Sequence, residues 1–196
     1  MPYSSENYAK HTHPIALYQC STFRYLQRLY ALFRRTRARS VLEVGCGEGF
    51  VLDFLMKRQP EAHYTGVDLS AGAVAMARRI TAPGIDYACG HGARLPFASG
   101  TFDLVVLSEV LEHVPLPEPV LQEALRLSRG RVLISVPLEP YFQGLSNLLV
   151  RLKLGRNPGH VNFWTAGRFR RWLAQHADVT HYERCDLYQL ALCDLH

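Results

Sequence analysis

Three groups of residues in this chain have the types and spacing to do chemistry. Gly45, Gly47 and Gly49 alternate directly after the run Val41-Leu42-Glu43-Val44, and Asp68 closes a second run at residues 63–67. Two histidines stand among polar residues: His113 follows Glu109 and Glu112, and His160 lies in Asn157-Pro158-Gly159-His160-Val161-Asn162-Phe163-Trp164. Glycines at the mouth of a strand let backbone amides approach a ligand closely. A carboxylate ending the neighbouring strand can accept hydrogen bonds from both hydroxyls of a ribose. By itself Asp68 would equally well cap the next helix, but beside the glycine loop the ribose reading is favoured. Spacing narrows the ligand. A dinucleotide fingerprint, G-x-G-x-x-G, needs its third glycine where this chain has Phe50, one residue after Gly49. No lysine followed by serine or threonine continues the loop, which excludes a P-loop. Cys46, inside the loop, is read as a small filler of a tight turn rather than a nucleophile.

The elements that must position these groups follow from the apolar periods. Leu17, Phe23, Leu26, Leu29, Tyr30 and Phe33 recur at helical spacing and predict one or two leading helices within residues 1–39. Residues 41–44 predict a strand, then the glycine loop, then a helix carrying Phe50, Val51, Leu52, Phe54 and Leu55. Further strands are predicted at residues 63–67, 85–88, 102–107 and 131–136. Helices are predicted from Ser70, as N-cap, to about Ile80, and over residues 117–127. Strands apolar on both faces that alternate with helices predict a parallel sheet covered on both sides. Residues 137–164 break the pattern and read as an insertion with one amphipathic stretch, 141–154. Thr165 then starts a helix that Phe169, Trp172 and Leu173 turn towards the sheet, and two short strands near 179–183 and 187–191 end the chain. The whole, residues 1–196, reads as one domain whose core is 40–136.

Composition agrees with this: 48% hydrophobic residues in 196 are enough for one full core. The formal charge of +5 is carried partly by two clusters, Arg34, Arg35, Arg37 and Arg39, and Arg168, Arg170 and Arg171. Both border helix-like residues and read as solvated helix ends, so no nucleic-acid partner is expected. Five cysteines, without a CxxC pair or zinc spacing, read as reduced thiols. With no apolar leader and no run of membrane-spanning length, the expected location is cytoplasmic.

These motifs resemble those of a known family. VLEVGCGEGF (41–50), GVDLS (66–70) and LPFASGTFDLVVLSEVLEHV (95–114) are similar, in that order, to class I S-adenosylmethionine-dependent methyltransferases. The likeness is to the small-molecule branch that includes the ubiquinone-biosynthesis O-methyltransferases. It covers about residues 40–136 and, more weakly, 160–173. The resemblance implies a Rossmann-like α/β fold: an open, mostly parallel seven-stranded sheet with helices on both faces and an antiparallel last strand. It implies S-adenosylmethionine as cofactor, with Gly45 and Gly47 under its methionine part and ribose, Asp68 on the ribose, and the Ser108 carbonyl on its amino group. Glu43 matches the family's acidic residue, which organises the loop or meets the ammonium group through water; a purely structural role stays open beside this. One departure stands out: where the family often has an adenine-binding aspartate, this chain has His91, followed by Gly92. A neutral imidazole can accept from the adenine amino group or stack beside the ring, and the Gly92 backbone with apolar walls can hold adenine without it.

Methyl transfer from a sulfonium needs positioning above all, and a base only where the acceptor must lose a proton. His113 and His160 are the candidates for such a group, each with a plain hydrogen-bonding role as the alternative. The expected acceptor is a small molecule methylated on oxygen, less readily on nitrogen or carbon. The stretch 141–154 is read as a lid, with a homodimer contact or a membrane-surface helix as the other roles open to it. No carboxylate pair at metal spacing stands out, and no metal is expected. Two other readings of the same residues are a cofactor-binding regulatory protein without turnover and an NAD-dependent oxidoreductase.

Overall fold

The computed structural model describes residues 16–151 and 159–195. A single leading helix, α1 (Ala16–Thr36), precedes β1 (Ser40–Val44), α2 (Phe50–Met56), β2 (His63–Asp68), α3 (Ala71–Ile80) and β3 (Ile85–Cys89). After a turn-rich segment come β4 (Phe102–Ser108), α4 (Pro117–Leu127) and β5 (Ser128–Pro137). The insertion forms α5 (Tyr141–Arg151), and α6 (Ala166–Leu173), β6 (Asp178–Cys185) and β7 (Tyr188–Asp194) follow. Residues 152–158, including the end of the amphipathic stretch, lie outside the described residues, as does the N-terminal segment before Ala16. The predicted N-cap is in place, Ser70 Oγ accepting from Ala73 N at 3.2 Å, and Thr165, read as the start of a helix, also caps it, its Oγ1 accepting from Arg168 N at 3.4 Å.

The seven strands lie in the order β3-β2-β1-β4-β5-β7-β6. Pairing is parallel from β3 to β5, while β7 runs antiparallel to both β5 and β6. This is the mostly parallel seven-stranded sheet the sequence implied, with its last strand reversed. Successive strand residues alternate between the two faces. Val41, Leu104, Val106 and Leu133 pack with Leu29, Leu52 and Ala77 from α1, α2 and α3. Leu42, Val105, Leu107 and Ile134 pack with Leu121 and Ala124 of α4 and Phe169 and Leu173 of α6. Two cores, one on each side, explain why the central strands have no polar face. The chain leaves β1 towards β2 and returns on the other side through β4, so the strand order reverses between them. The crevice beyond the carboxyl ends of β1 and β4 is therefore where a ligand fits an open sheet of this kind.

The stretch around His160 has an irregular backbone, yet it reaches the core: Trp164 is only 3% exposed. Its indole packs between Phe169, at 5.7 Å between ring centroids, and Trp172, at 4.9 Å. An irregular backbone does not prevent a single large side chain from reaching the core. Phe169, fully buried in that cluster, should hold α6 on the sheet, and Phe169→Ala is expected to cost about 3–5 kcal/mol. Urea denaturation would measure it, and a loss below about 1 kcal/mol would contradict this packing role.

Candidate active site

The glycine loop is built from its backbone outward. Gly45 N and Cys46 N both donate to Val67 O, at 2.7 and 3.1 Å, tying the start of the loop to the end of β2. Gly45 adopts φ 73, and a Cβ there would stand 2.5 Å from Val110 Cγ2, just past β4. Gly49 has φ 77 and precedes α2; a Cβ would meet Tyr87 Oη at 2.1 Å. The third glycine therefore makes room for a tyrosine of β3 rather than for a pyrophosphate, which explains its displacement from the dinucleotide pattern. Between them, Gly47 N donates to Asp68 Oδ2 at 2.8 Å, and Asp68 Oδ1 accepts from Ser70 N at 2.8 Å. Asp68 thus fastens the glycine loop to the entrance of α3. The helix-entry role and the position beside the loop, separate alternatives in the sequence, belong to one carboxylate. Cys46 is buried, and burial pushes its thiol far above the ordinary range, so it is packed rather than poised for attack.

Glu43 lies beneath this loop on the α1–α3 side of the sheet, 1% exposed. Its carboxyl is held well above the ordinary value, chiefly by burial and then by the charge of Asp68; a hydrogen bond from the Leu52 backbone acts the other way. Among the described residues nothing hydrogen-bonds Glu43 Oε2, and the same holds for both carboxylate oxygens of the buried Glu48. Buried acceptors in this state are costly. A site that offers them fits a ligand carrying donors, such as an ammonium group and a ribose.

The other side of the crevice comes from β4, α1 and the turn after β3. Ser108 ends β4, and its Oγ lies 2.5 Å from the hydroxyl of Tyr25, which also lies 2.7 Å from Ser135 Oγ of β5. This buried trio, fixing α1 to two strand ends, was not visible in the sequence. A lone tyrosine on an apolar helical face carries no signal of its partner. Glu109 follows with φ 58, an uncommon conformation for a non-glycine residue that ends β4 sharply. His91 and Gly92 sit in a turn closed by Arg94 N donating to His91 O at 2.9 Å. Ala93 N donates to His91 Nδ1 at 3.3 Å. That assignment leaves Nε2 as the N–H of a neutral ring, a donor towards a purine nitrogen rather than an acceptor from its amino group. A Cβ on Gly92 would stand 2.9 Å from Val44 Cγ1, which puts this turn directly over the end of β1.

The two histidines, far apart in sequence, meet. Their ring centroids are 4.9 Å apart and nearly perpendicular, at 75°, and Phe142 of α5 stacks on His160 at 5.1 Å. Val161 N and Asn162 N donate to Glu112 O at 2.8 and 3.1 Å. Asn162 Nδ2 donates to Leu111 O and Val114 O at 3.0 and 2.6 Å. These bonds zip the insertion to the turn after β4. Asn162, named in the sequence only as a neighbour of His160, is the residue that makes the junction. Among the described residues, Glu112, His113 and His160 present one ligand-type atom each, all within 4.8 Å of one another. Reading carboxylates alone at short spacing missed this group, because one member comes from the insertion.

Comparison with known proteins shows the family. Residues 17–179 match the Methyltransferase domain family. Over 104 residues the chain is 36% identical to phthiotriol/phenolphthiotriol dimycocerosates methyltransferase 1 of Mycobacterium ulcerans, covering 52% of this chain and 38% of that protein. Over 105 residues it is 36% identical to the ubiquinone biosynthesis O-methyltransferase of Aromatoleum aromaticum, covering 50% and 43%. The chain thus spans less than half the length of these curated relatives. In fold it is similar to the PH0226 protein of Pyrococcus horikoshii OT3, with TM-score 0.71, 20% identity and coverage of 99% of this chain and 100% of that one. Magnesium protoporphyrin IX methyltransferase of Synechocystis PCC 6803, solved with S-adenosylhomocysteine, gives TM-score 0.71 at 14% identity, covering 97% and 98%. The chain belongs to the class I S-adenosylmethionine-dependent methyltransferases.

The raised Glu43 carboxyl has a definite consequence for stability. The folded chain holds this proton to higher pH than the unfolded chain does. Its contribution is therefore full below the ordinary carboxylate pKa and is lost as pH rises from there through the raised folded value. Glu43→Gln, uncharged and nearly isosteric, should lose less stability over that window than the unsubstituted chain. Denaturation midpoints at a series of pH values would check this, and parallel profiles would reject it.

Proposed function

We propose that this chain transfers the methyl group of S-adenosylmethionine to an oxygen atom of a small molecule with an apolar body. When bound, the cofactor supplies an electrophilic methyl group on a sulfonium whose leaving group is a neutral thioether. The observation that carries the reading is the position of Asp68: its carboxylate stands beside the Gly45–Gly47 amides at the point where the strand order reverses. Each Asp68 oxygen keeps a lone pair beyond its loop bond and can accept from a ribose hydroxyl. Gly45 and Gly47 let the backbone lie against the ribose and methionine part, Glu43 offers a carboxyl oxygen beneath the ammonium group, and the Ser108 carbonyl accepts from it. His91 and Gly92 border the adenine.

Beyond the methyl position, His113 and His160 stand on the acceptor side, held there by the Asn162 junction. Tyr141 and Leu148 of α5, together with Val161 and Phe163 beyond it, are exposed apolar side chains. They support a covering role for the insertion over an apolar acceptor. The relatives named above act, by their names, on phthiotriol and phenolphthiotriol dimycocerosates and on an oxygen in ubiquinone biosynthesis, which supports the same class. Among the described residues no helix is long and apolar enough to cross a membrane.

Asp68→Asn keeps the shape but removes the charge from a charge-assisted contact, worth about 1.5–3 kcal/mol. S-adenosylhomocysteine should bind at least about 10-fold more weakly by calorimetry, the conversion of that energy at about 1.4 kcal/mol per decade. An unchanged affinity, or saturable binding of NAD instead, would overturn the cofactor assignment. Labelled S-adenosylmethionine incubated with the chain and a small-molecule extract should give an alkali-stable methylated product, as expected of an ether. Binding without transfer would leave a cofactor-binding protein instead.

A further inference from the structure

We infer that Tyr25 of α1 is a positioning residue of the cofactor site: it holds the last peptide of β4 so that the Ser108 carbonyl faces an ammonium group bound over the glycine loop. The identity of that ammonium group, unlike the geometry of the peptide, rests on the methyl-transfer reading.

The direction of the carbonyl is set by its own peptide. Glu109 N, the other half of the Ser108–Glu109 peptide, donates to Ser135 O of β5 at 3.1 Å. Across a trans peptide the C=O points opposite to the N–H. Ser108 O therefore points away from β5, towards the β1 side of the sheet. On that side the β1–β4 pairing ends at Glu43 and Val106, and the same register carries Ser108 level with Gly45. By that point β1 has given way to the glycine loop, whose Gly45 and Cys46 amides are bonded to Val67 O instead. The carbonyl faces the loop rather than a strand.

Tyr25 holds this peptide from the α1 face. Ser108 and Ser135 are partners in the last rung of the β4–β5 ladder, so their side chains stand on the same face. Tyr25 Oη bonds to both, at 2.5 and 2.7 Å, and bridges that rung. The bond from Glu109 N to Ser135 O fixes the peptide in the plane of the sheet, and the bridge fixes it from above. Directly afterwards the chain turns at Glu109, φ 58, a conformation that persists only where its surroundings determine it. The tyrosine itself is well anchored: it is 4% exposed, and its ring lies 4.7 Å from that of Tyr188. Burial, and after it the charge of Glu109, hold its proton well above the ordinary phenol value, while the two serine hydroxyls act the other way. Tyr25 thus remains an O–H that serves both serines. Without that oxygen one backbone bond alone holds the peptide, and the carbonyl is no longer preorganised for a cation.

The test is calorimetric titration of the full chain with two ligands, S-adenosylhomocysteine and its deaminated analogue, in which hydrogen replaces the ammonium group. The unsubstituted chain should prefer S-adenosylhomocysteine by about 10-fold or more, the scale of a hydrogen bond to a charged group. Tyr25→Phe keeps the ring against Tyr188. It should bind S-adenosylhomocysteine about 10-fold more weakly and the analogue as before, so that the preference disappears. Ser108→Ala keeps the carbonyl but removes the other end of the link, and should act in the same way; it decides the matter if Tyr25→Phe fails to fold. The double variant should lose no more than either single one, because both remove one interaction. A purely structural role would lower the melting temperature and weaken both ligands alike. Equal weakening of the two ligands, an S-adenosylhomocysteine affinity unchanged in the variants, or no preference in the unsubstituted chain overturns the role of Tyr25 and leaves the methyl-donor reading standing. An unsubstituted chain that binds neither ligand overturns that reading itself.

Discussion

Asp68 holds together the parts of the crevice that come from different places in the chain. One oxygen accepts from Gly47 in the loop after β1, the other from Ser70 at the entrance of α3. The carbonyl just before it, Val67 O, receives both Gly45 and Cys46. Two loops that would otherwise diverge are thus bonded to the end of one strand. The left-handed conformation of Gly45 is the condition for this, because only a residue without Cβ turns there under Val110. Everything on the cofactor side, including the position of the Gly92 turn over Val44, is arranged around that junction.

The core that supports it is a consequence of two-sided burial. Towards their carboxyl ends β1 and β4 are almost wholly apolar, so the two side chains there that carry charge or hydroxyl, Glu43 and Ser108, are conspicuous. Each has a different solution to burial. Ser108 shares its hydroxyl with Tyr25 and through it with Ser135. Glu43 has the Leu52 amide and holds its proton more tightly. A carboxyl in that state gains most from a cationic neighbour, which is consistent with an ammonium group arriving above it.

The sequence was legible wherever function depends on backbone conformation or period. The strand–loop–helix unit and the helix starts at Ser70 and Thr165 follow from local rules, because glycines, caps and alternation act over a few residues, whereas the reversed last strand was implied only by the family resemblance. The conformation of the glycine loop was legible by the same local rules. What was not legible depends on contacts between distant segments. Trp164 belongs to the core through Phe169 and Trp172, Tyr25 reaches two strand ends, and His160 stands against His113. No period or spacing encodes such meetings, since each is decided by how the insertion and the leading helix settle on a finished sheet. His91 is an intermediate case: its place beside the site followed from the sequence, but the use of its Nδ1 inside the turn did not.

The two segments without a recognisable motif, α1 and the insertion, attach to the same short stretch of chain. Tyr25 bonds to Ser108 at the last residue of β4. Asn162 bonds to Leu111 and Val114 in the turn that follows. Between those attachments lie Glu109, in a left-handed conformation, and Val110, against the cofactor loop. The insertion is therefore joined, through the turn after β4, to the Val110 side chain that lies against Gly45. The bonds that make this joint run to backbone carbonyls and to one serine, so they constrain the identity of few side chains in α1 and the insertion. It is the backbone of the residues after β4, more than any single side chain there, that ties these two segments to the glycine loop.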